Sequence, residues 1–167
     1  MDRRRVLAAS GTSLLVGTSG CLDGSGIPFL SGVTCPDLDE SNLENAVDYE
    51  GHDIAVDPVE GDSAALVTCE DEIADVAGDD SDAAAILRGL EFGTEFGIAL
   101  AVNGNGSRTE FRVLGVDRES ASRVSVYTCY KRYNRNDVHV RYDRLLVVPH
   151  GGEVPEKVRL RNTTVGP

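Results

Sequence analysis

Three histidines, His52, His139 and His150, are the side chains of this 167-residue sequence best suited to acid–base or metal chemistry. A histidine acts as a general base only with a nucleophile and an orienting carboxylate within hydrogen-bond reach. A metal site wants two of them converging, at helical spacing or on paired strands. His139 and His150 fall at the beginning and just past the end of one expected strand, which holds them apart. No HExxH, GxSxG, P-loop or GxGxxG-plus-helix pattern occurs. The sequence therefore names no catalytic residue, no metal ligand and no cofactor. An extracellular hydrolase using His139 or His150 with an acid stays as an alternative.

Two other clusters have chemical potential. Asp71 to Asp82 reads DEIADVAGDDSD, with Asp75, Asp79, Asp80 and Asp82 as oxygen donors for a hard cation. The D-x-D-x-D-G spacing is absent, and a solvated acidic face accounts for the same residues. A metal-stabilised structural envelope domain is the second alternative. Tyr127, Tyr130, Tyr133 and Tyr142 are interleaved with Lys131, Arg132, Arg135, Arg141 and Arg144. Tyr and Arg are favoured at binding hot spots. Tyr127, Arg132, Arg141 and Arg144 form the possible interaction face; the competing reading puts Tyr130 and Tyr142 in the core. Asn105 and Asn162 each open an N-x-S/T glycosylation tripeptide.

The beginning of the chain carries its clearest signal. Arg3, Arg4 and Arg5 precede an uncharged stretch from Val6 to Gly20. That stretch is too short and too rich in Gly and Ser to span a hydrocarbon core, which needs ~20 apolar residues. It fits a signal-peptide core, and the consecutive arginines fit twin-arginine export. Thr18-Ser19-Gly20-Cys21 resembles a lipobox, in which the Cys21 thiol takes a diacylglycerol and becomes the mature N-terminus. Two acyl chains suffice for stable anchoring.

Charge adds a habitat. The chain carries 28 acids, 16 bases and a net charge of −12. Residues 1–20 hold three Arg and one Asp, so the remainder has 13 bases and 27 acids. Lys occurs only as Lys131 and Lys157. An acidic, Lys-poor surface suits molar salt, where screening leaves little repulsion. With the leader, this resembles a lipoprotein of a halophilic archaeon. The resemblance implies export in the folded state and residence at the outer face of the cytoplasmic membrane. It implies no activity. The expected partners are the membrane, through the lipid, and an unknown envelope protein or ligand. So acidic a chain is not a nucleic-acid binder.

The division that follows is 1–20 signal peptide, 21–34 lipobox cysteine and tether, and 35–167 one β-rich domain. Within it the charges split: residues 22–87 hold 18 acids and no base, residues 88–167 hold 13 bases and 9 acids. Either the two halves pack on each other, or the Arg side receives an anionic partner, or the surface is simply solvated. Cys35, Cys69 and Cys129 remain outside the leader. One disulfide and one free thiol follow; Cys69–Cys129 is favoured because both lie in expected strands, and the alternative is that Cys35 clips the start of the domain to either strand.

The elements that must position these residues are mostly strands. Phe96–Val102, Arg108–Val116, Arg123–Lys131, Val138–Val148 and Lys157–Asn162 alternate or run apolar between short polar turns. Asn103-Gly104-Asn105-Gly106 signals a hairpin. The pattern changes phase near Arg144–Leu145, which predicts a bulge. Ser63–Cys69 reads as a further strand, Ser41–Val47 as a weak helix or loop, and Asp80–Leu90 as a short capped helix. The fold class is mainly β: an antiparallel meander sheet, sandwich or partly open barrel, with one short helix. The function expected is a lipid-anchored cell-surface binding or interaction protein.

Overall fold

The computed structural model describes residue 35 and residues 43–56, 61–105, 109–132 and 139–165. Arg3, Arg4, Arg5, Cys21 and the tether lie outside the described residues.

The described residues form eight strands and one short α-helix, in the order β1 Ala46–Val47, β2 Glu50–His52, β3 Ser63–Val67, α1 Asp82–Arg88, β4 Glu95–Asn105, β5 Thr109–Ser120, β6 Arg123–Arg132, β7 His139–Pro149 and β8 Lys157–Val165. A 3-10 helix, Glu70–Asp75, precedes α1. Sheet A has the order β1-β5-β6-β8 and sheet B the order β2-β7-β4-β3. All pairs are antiparallel except β6 and β8. The mainly β architecture with one short helix is the one the alternation predicts.

Two apolar layers hold it together. Between the sheets, Phe96, Ile98, Leu100, Leu146 and Val148 of sheet B meet Val116, Val124 and Val126 of sheet A. On the other face of sheet B, Ala99 and Leu145 pack under Ile73, Ala83, Ala84 and Leu87. Sheet B is thus covered on both faces, and strands so placed lose their polar alternation. This explains Leu145-Leu146-Val147-Val148 without a bulge: Leu145 points to the helical layer and Leu146 to sheet A. The β4–β7 register runs unbroken from Glu95↔Pro149 to Asn105↔His139. The expected bulge at Arg144–Leu145 is corrected accordingly; the register shifts instead along β5, between Val113 and Gly115 and between Asp117 and Ser120.

The hairpin expected at Asn103-Gly104 is also corrected. Gly104 and Asn105 continue β4 and pair with Val140 and His139. β4 and β5 belong to different sheets, so they are not hairpin partners. A glycine is needed at 104 for space, not for turning. A Cβ there would lie 2.1 Å from the ring of Tyr130, which fills that end of the core.

Local signals set the helix. Ser81 Oγ accepts the Ala84 N–H at 3.1 Å. Asp82 stands in the first turn and Arg88 in the last, matching the helix dipole. Ala83, Ala84 and Leu87 form its buried stripe. Leu87 comes down on Gly97 of β4, where a Cβ would lie 2.5 Å from Leu87 Cδ2. Truncating Leu87 to Ala costs about 2–5 kcal/mol on the scale of buried leucines.

Candidate interaction surfaces

The outer face of sheet A is built by strand alternation. With Val124 and Val126 turned inward, Arg123, Ser125, Tyr127, Cys129 and Lys131 of β6 turn outward. Their partners on β8 are Lys157, Arg159, Arg161, Thr163 and Val165. On β5, Glu110 and Arg112 lie opposite Lys131 and Cys129, and Asp117 opposite Ser125. Six cations therefore share this face with the carboxylates of Glu110, Asp117 and Glu119.

Glu119 organises one end of it. Its Oε1 accepts the Ser125 hydroxyl at 2.6 Å and Arg161 Nη2 at 3.2 Å. Arg123 Nη1 lies 3.8 Å from the other oxygen. The Ser125 hydrogen bond and, behind it, the Arg161 charge hold this carboxyl below its usual range, against the opposing effect of burial. The Tyr127 hydroxyl is pushed up by burial first and then by Asp117 and Glu119, with Arg161 opposing. Asp117, 7% exposed, accepts the Asn45 N–H at 2.7 Å and docks the chain entering β1.

A disulfide crosses the same face. Cys35 is bonded to Cys129, with Cα atoms 5.8 Å apart. The expected Cys69–Cys129 pair is corrected. Cys69 lies past the end of β3, in sheet B, and is exposed. Cys129 points away from sheet B, so the sandwich stands between the two thiols.

The Tyr and Arg residues of the expected interaction face do not converge. Tyr127 faces outward on sheet A. Arg144 lies on the inner face of β7, 5.4 Å from the Phe111 ring, and pairs with Asp53. Arg141 lies on the opposite face of β7, 2.7 Å from Asp143 Oδ1, and donates to the Val56 carbonyl at 2.8 Å. Arg132 ends β6, and its side chain lies outside the description, as does that of Asn105. Tyr130 and Tyr142 instead close one end of the core, with ring centroids 5.9 Å apart and Phe111 stacked on Tyr142 at 5.5 Å. Asn162 has its amide engaged: Oδ1 accepts from Thr128 Oγ1, and Nδ2 donates to Asp62.

The other end of the sandwich holds an open cleft of about 420 Å³, bordered by Val47, Arg118, Ala121, His150 and Glu153. Arg118 Nη2 donates to the carbonyls of Ala121 and Glu153. His150 Nδ1 lies 2.8 Å from the Gly152 carbonyl. A carbonyl only accepts, so Nδ1 carries a proton. Nε2 is buried without a partner, with the ring 5.9 Å from that of Phe96. Among the described residues, no hydroxyl or thiol borders the cleft. His139 begins β7 and is exposed; His52 is 3.5 Å from Glu50 in β2. The three histidines occupy separate places, and sequence distance along β7 alone puts His139 and His150 about 35 Å apart. Among the described residues, no three His, Cys, Asp or Glu side chains converge as a metal site.

The two charge classes end on opposite sides. Residues 70–91, the helical layer, contain eight carboxylates and the single cation Arg88. Arg88 is held by Asp79 at 3.2 Å. Both apolar layers separate this surface from the cations of sheet A; the two halves of the chain meet elsewhere, with Arg144 paired to Asp53 and Arg88 to Asp79.

Comparison with protein-family models, curated proteins and solved structures finds no match.

Proposed function

We propose that this chain is a lipid-anchored binding domain of the cell surface, exported through its arginine leader and held at the outer face of the cytoplasmic membrane by Cys21. The Cys35–Cys129 disulfide is the observation that carries this reading. Disulfides persist in oxidising, extracytoplasmic compartments. This one sits where the tether meets the domain and transfers any pull on the tether directly to β6, in the middle of sheet A. A rigid sandwich clipped to its own leash serves contact with an envelope protein or a ligand.

The test is mass analysis of the chain's N-terminal peptide, with detergent-phase partition of the wild type and of Cys21→Ser. A chain beginning at an acylated Cys21, whose detergent partition is lost in the serine variant, is the expected result. An unmodified Cys21 in an aqueous-phase protein overturns the anchor. Crosslinking in native membranes then reads the binding role. A stoichiometric partner or a bound small molecule is expected, and catalytic turnover without either overturns it.

A further inference from the structure

We infer that the outer face of sheet A is turned toward anionic lipid headgroups, with the acidic helical layer facing away. The inference rests on the lipid anchoring proposed above and adds the orientation and the contact surface.

Two independent observations converge on this face. The first is where the chain arrives. Cys35 is fixed to Cys129 on the outer side of β6. Only residues 22–34 separate Cys35 from Cys21. Fully extended, that length reaches at most about 50 Å. The face carrying the bond is therefore the one brought to the bilayer.

The second is charge. In a chain of net charge −12, the described residues of this face are six cations and three carboxylates. Lys157 and Arg159 are exposed on it, as are Arg112, paired with Glu110, and Arg123, 3.8 Å from Glu119. Guanidinium forks match phosphate oxygens two at a time. An anionic leaflet attracts such residues and repels the eight carboxylates of the opposite layer. In about 1 M salt the screening length shrinks to roughly 3 Å, so these charges act only in contact. The short tether supplies that contact.

Energy transfer to headgroup-labelled lipid tests the orientation in molar salt, with the full acylated chain in phosphatidylglycerol vesicles. One donor is placed on Cys69, the exposed free thiol at the start of the helical layer. The other is placed in Cys69→Ser/Lys157→Cys. Transfer from position 157 is expected to exceed that from position 69 at least twofold. Equal transfer, or more from position 69, overturns the inference. Arg123→Glu/Arg159→Glu, or phosphatidylcholine vesicles, should bring the ratio toward one. A ratio unmoved by both removes the headgroup contact. An unmodified Cys21 fails the anchor before any label is read, whereas an acylated chain with equal transfer fails the orientation alone.

Discussion

Asp62 and Asn162 meet across the side of the sandwich from 100 positions apart in the chain, with Asn162 Nδ2 donating to Asp62 Oδ2 at 3.1 Å. The other oxygen of Asp62 accepts the Asn103 N–H at 2.7 Å. Asn162 in turn accepts from Thr128 at 3.2 Å. One carboxylate thus joins β4 of sheet B to β8 of sheet A, beside the edge strand β3. An apolar core fixes the distance between two sheets but leaves their sliding soft; a directional polar link at the rim resists it.

Asp62→Ala should lower unfolding stability by about 1–2 kcal/mol, the scale of two partly exposed hydrogen bonds. Asn162→Ala should cost about 1 kcal/mol. The double variant should lose less than the sum, with a coupling of roughly 0.5–1 kcal/mol. Denaturant midpoints measure all three. Strict additivity would mean that the pair contributes nothing as a pair.

Gly104 and Tyr130 make a second link between the sheets, this time steric. The Tyr130 ring lies where the side chain of residue 104 would begin. Gly104→Ala should destabilise by about 1–3 kcal/mol, the cost of overpacking a filled core. Shortening the ring in Gly104→Ala/Tyr130→Leu should recover part of that loss. A Gly104→Ala variant with an unchanged melting temperature would show that the strand end relaxes freely.

How much of this was legible in the sequence follows from the range of the forces. Strand positions in the second half were readable because alternation is local: Arg123–Lys131 was expected and Arg123–Arg132 is found. Ser81 as a cap and the short helix were readable for the same reason. Pairing was not. Asn-Gly signals a turn only if the flanking strands are neighbours, and here β4 finds a better neighbour in β7. The parallel β6–β8 pair was hidden because parallel strands need a long crossover; β7, in the other sheet, is that crossover. β1 and β2 are too short to leave a pattern. Of the candidate residues, Arg141 and Arg144 were close in sequence yet lie on opposite faces of β7. The basic face of sheet A was visible only as a charge imbalance, since its members come from β5, β6 and β8.

The Glu119 carboxyl is held below its ordinary value of 4.5 by the Ser125 hydroxyl and by Arg161. A carboxylate with a lowered folded value lends stability that is complete above the unfolded value and is lost as pH falls through the folded one. Glu119→Gln keeps an acceptor for Ser125 and removes the charge. Its deficit against wild type should be full at pH 7 and should shrink progressively below about pH 4.5. Melting temperatures across that range decide it. A deficit constant with pH would show that geometry, not charge, is what Glu119 supplies.

The disulfide has the largest single effect expected. Cys35 and Cys129 are 94 positions apart, so their bond restricts a long loop in the unfolded chain. Cross-links of that span, when removed, cost about 2–5 kcal/mol in small exported domains. Cys129→Ala should reach the upper half of that range, because it also vacates a fully buried site in β6. Cys35→Ser should cost less, since it loses only the link. Cys69→Ser should change nothing, because its thiol is exposed and unbonded. Thiol labelling of the native protein should find one reactive group, and reduction should expose three among Cys35, Cys69 and Cys129. A native label found on Cys35 instead of Cys69, or a Cys69→Ser variant as unstable as Cys129→Ala, would contradict the Cys35–Cys129 pairing and return the choice to Cys69.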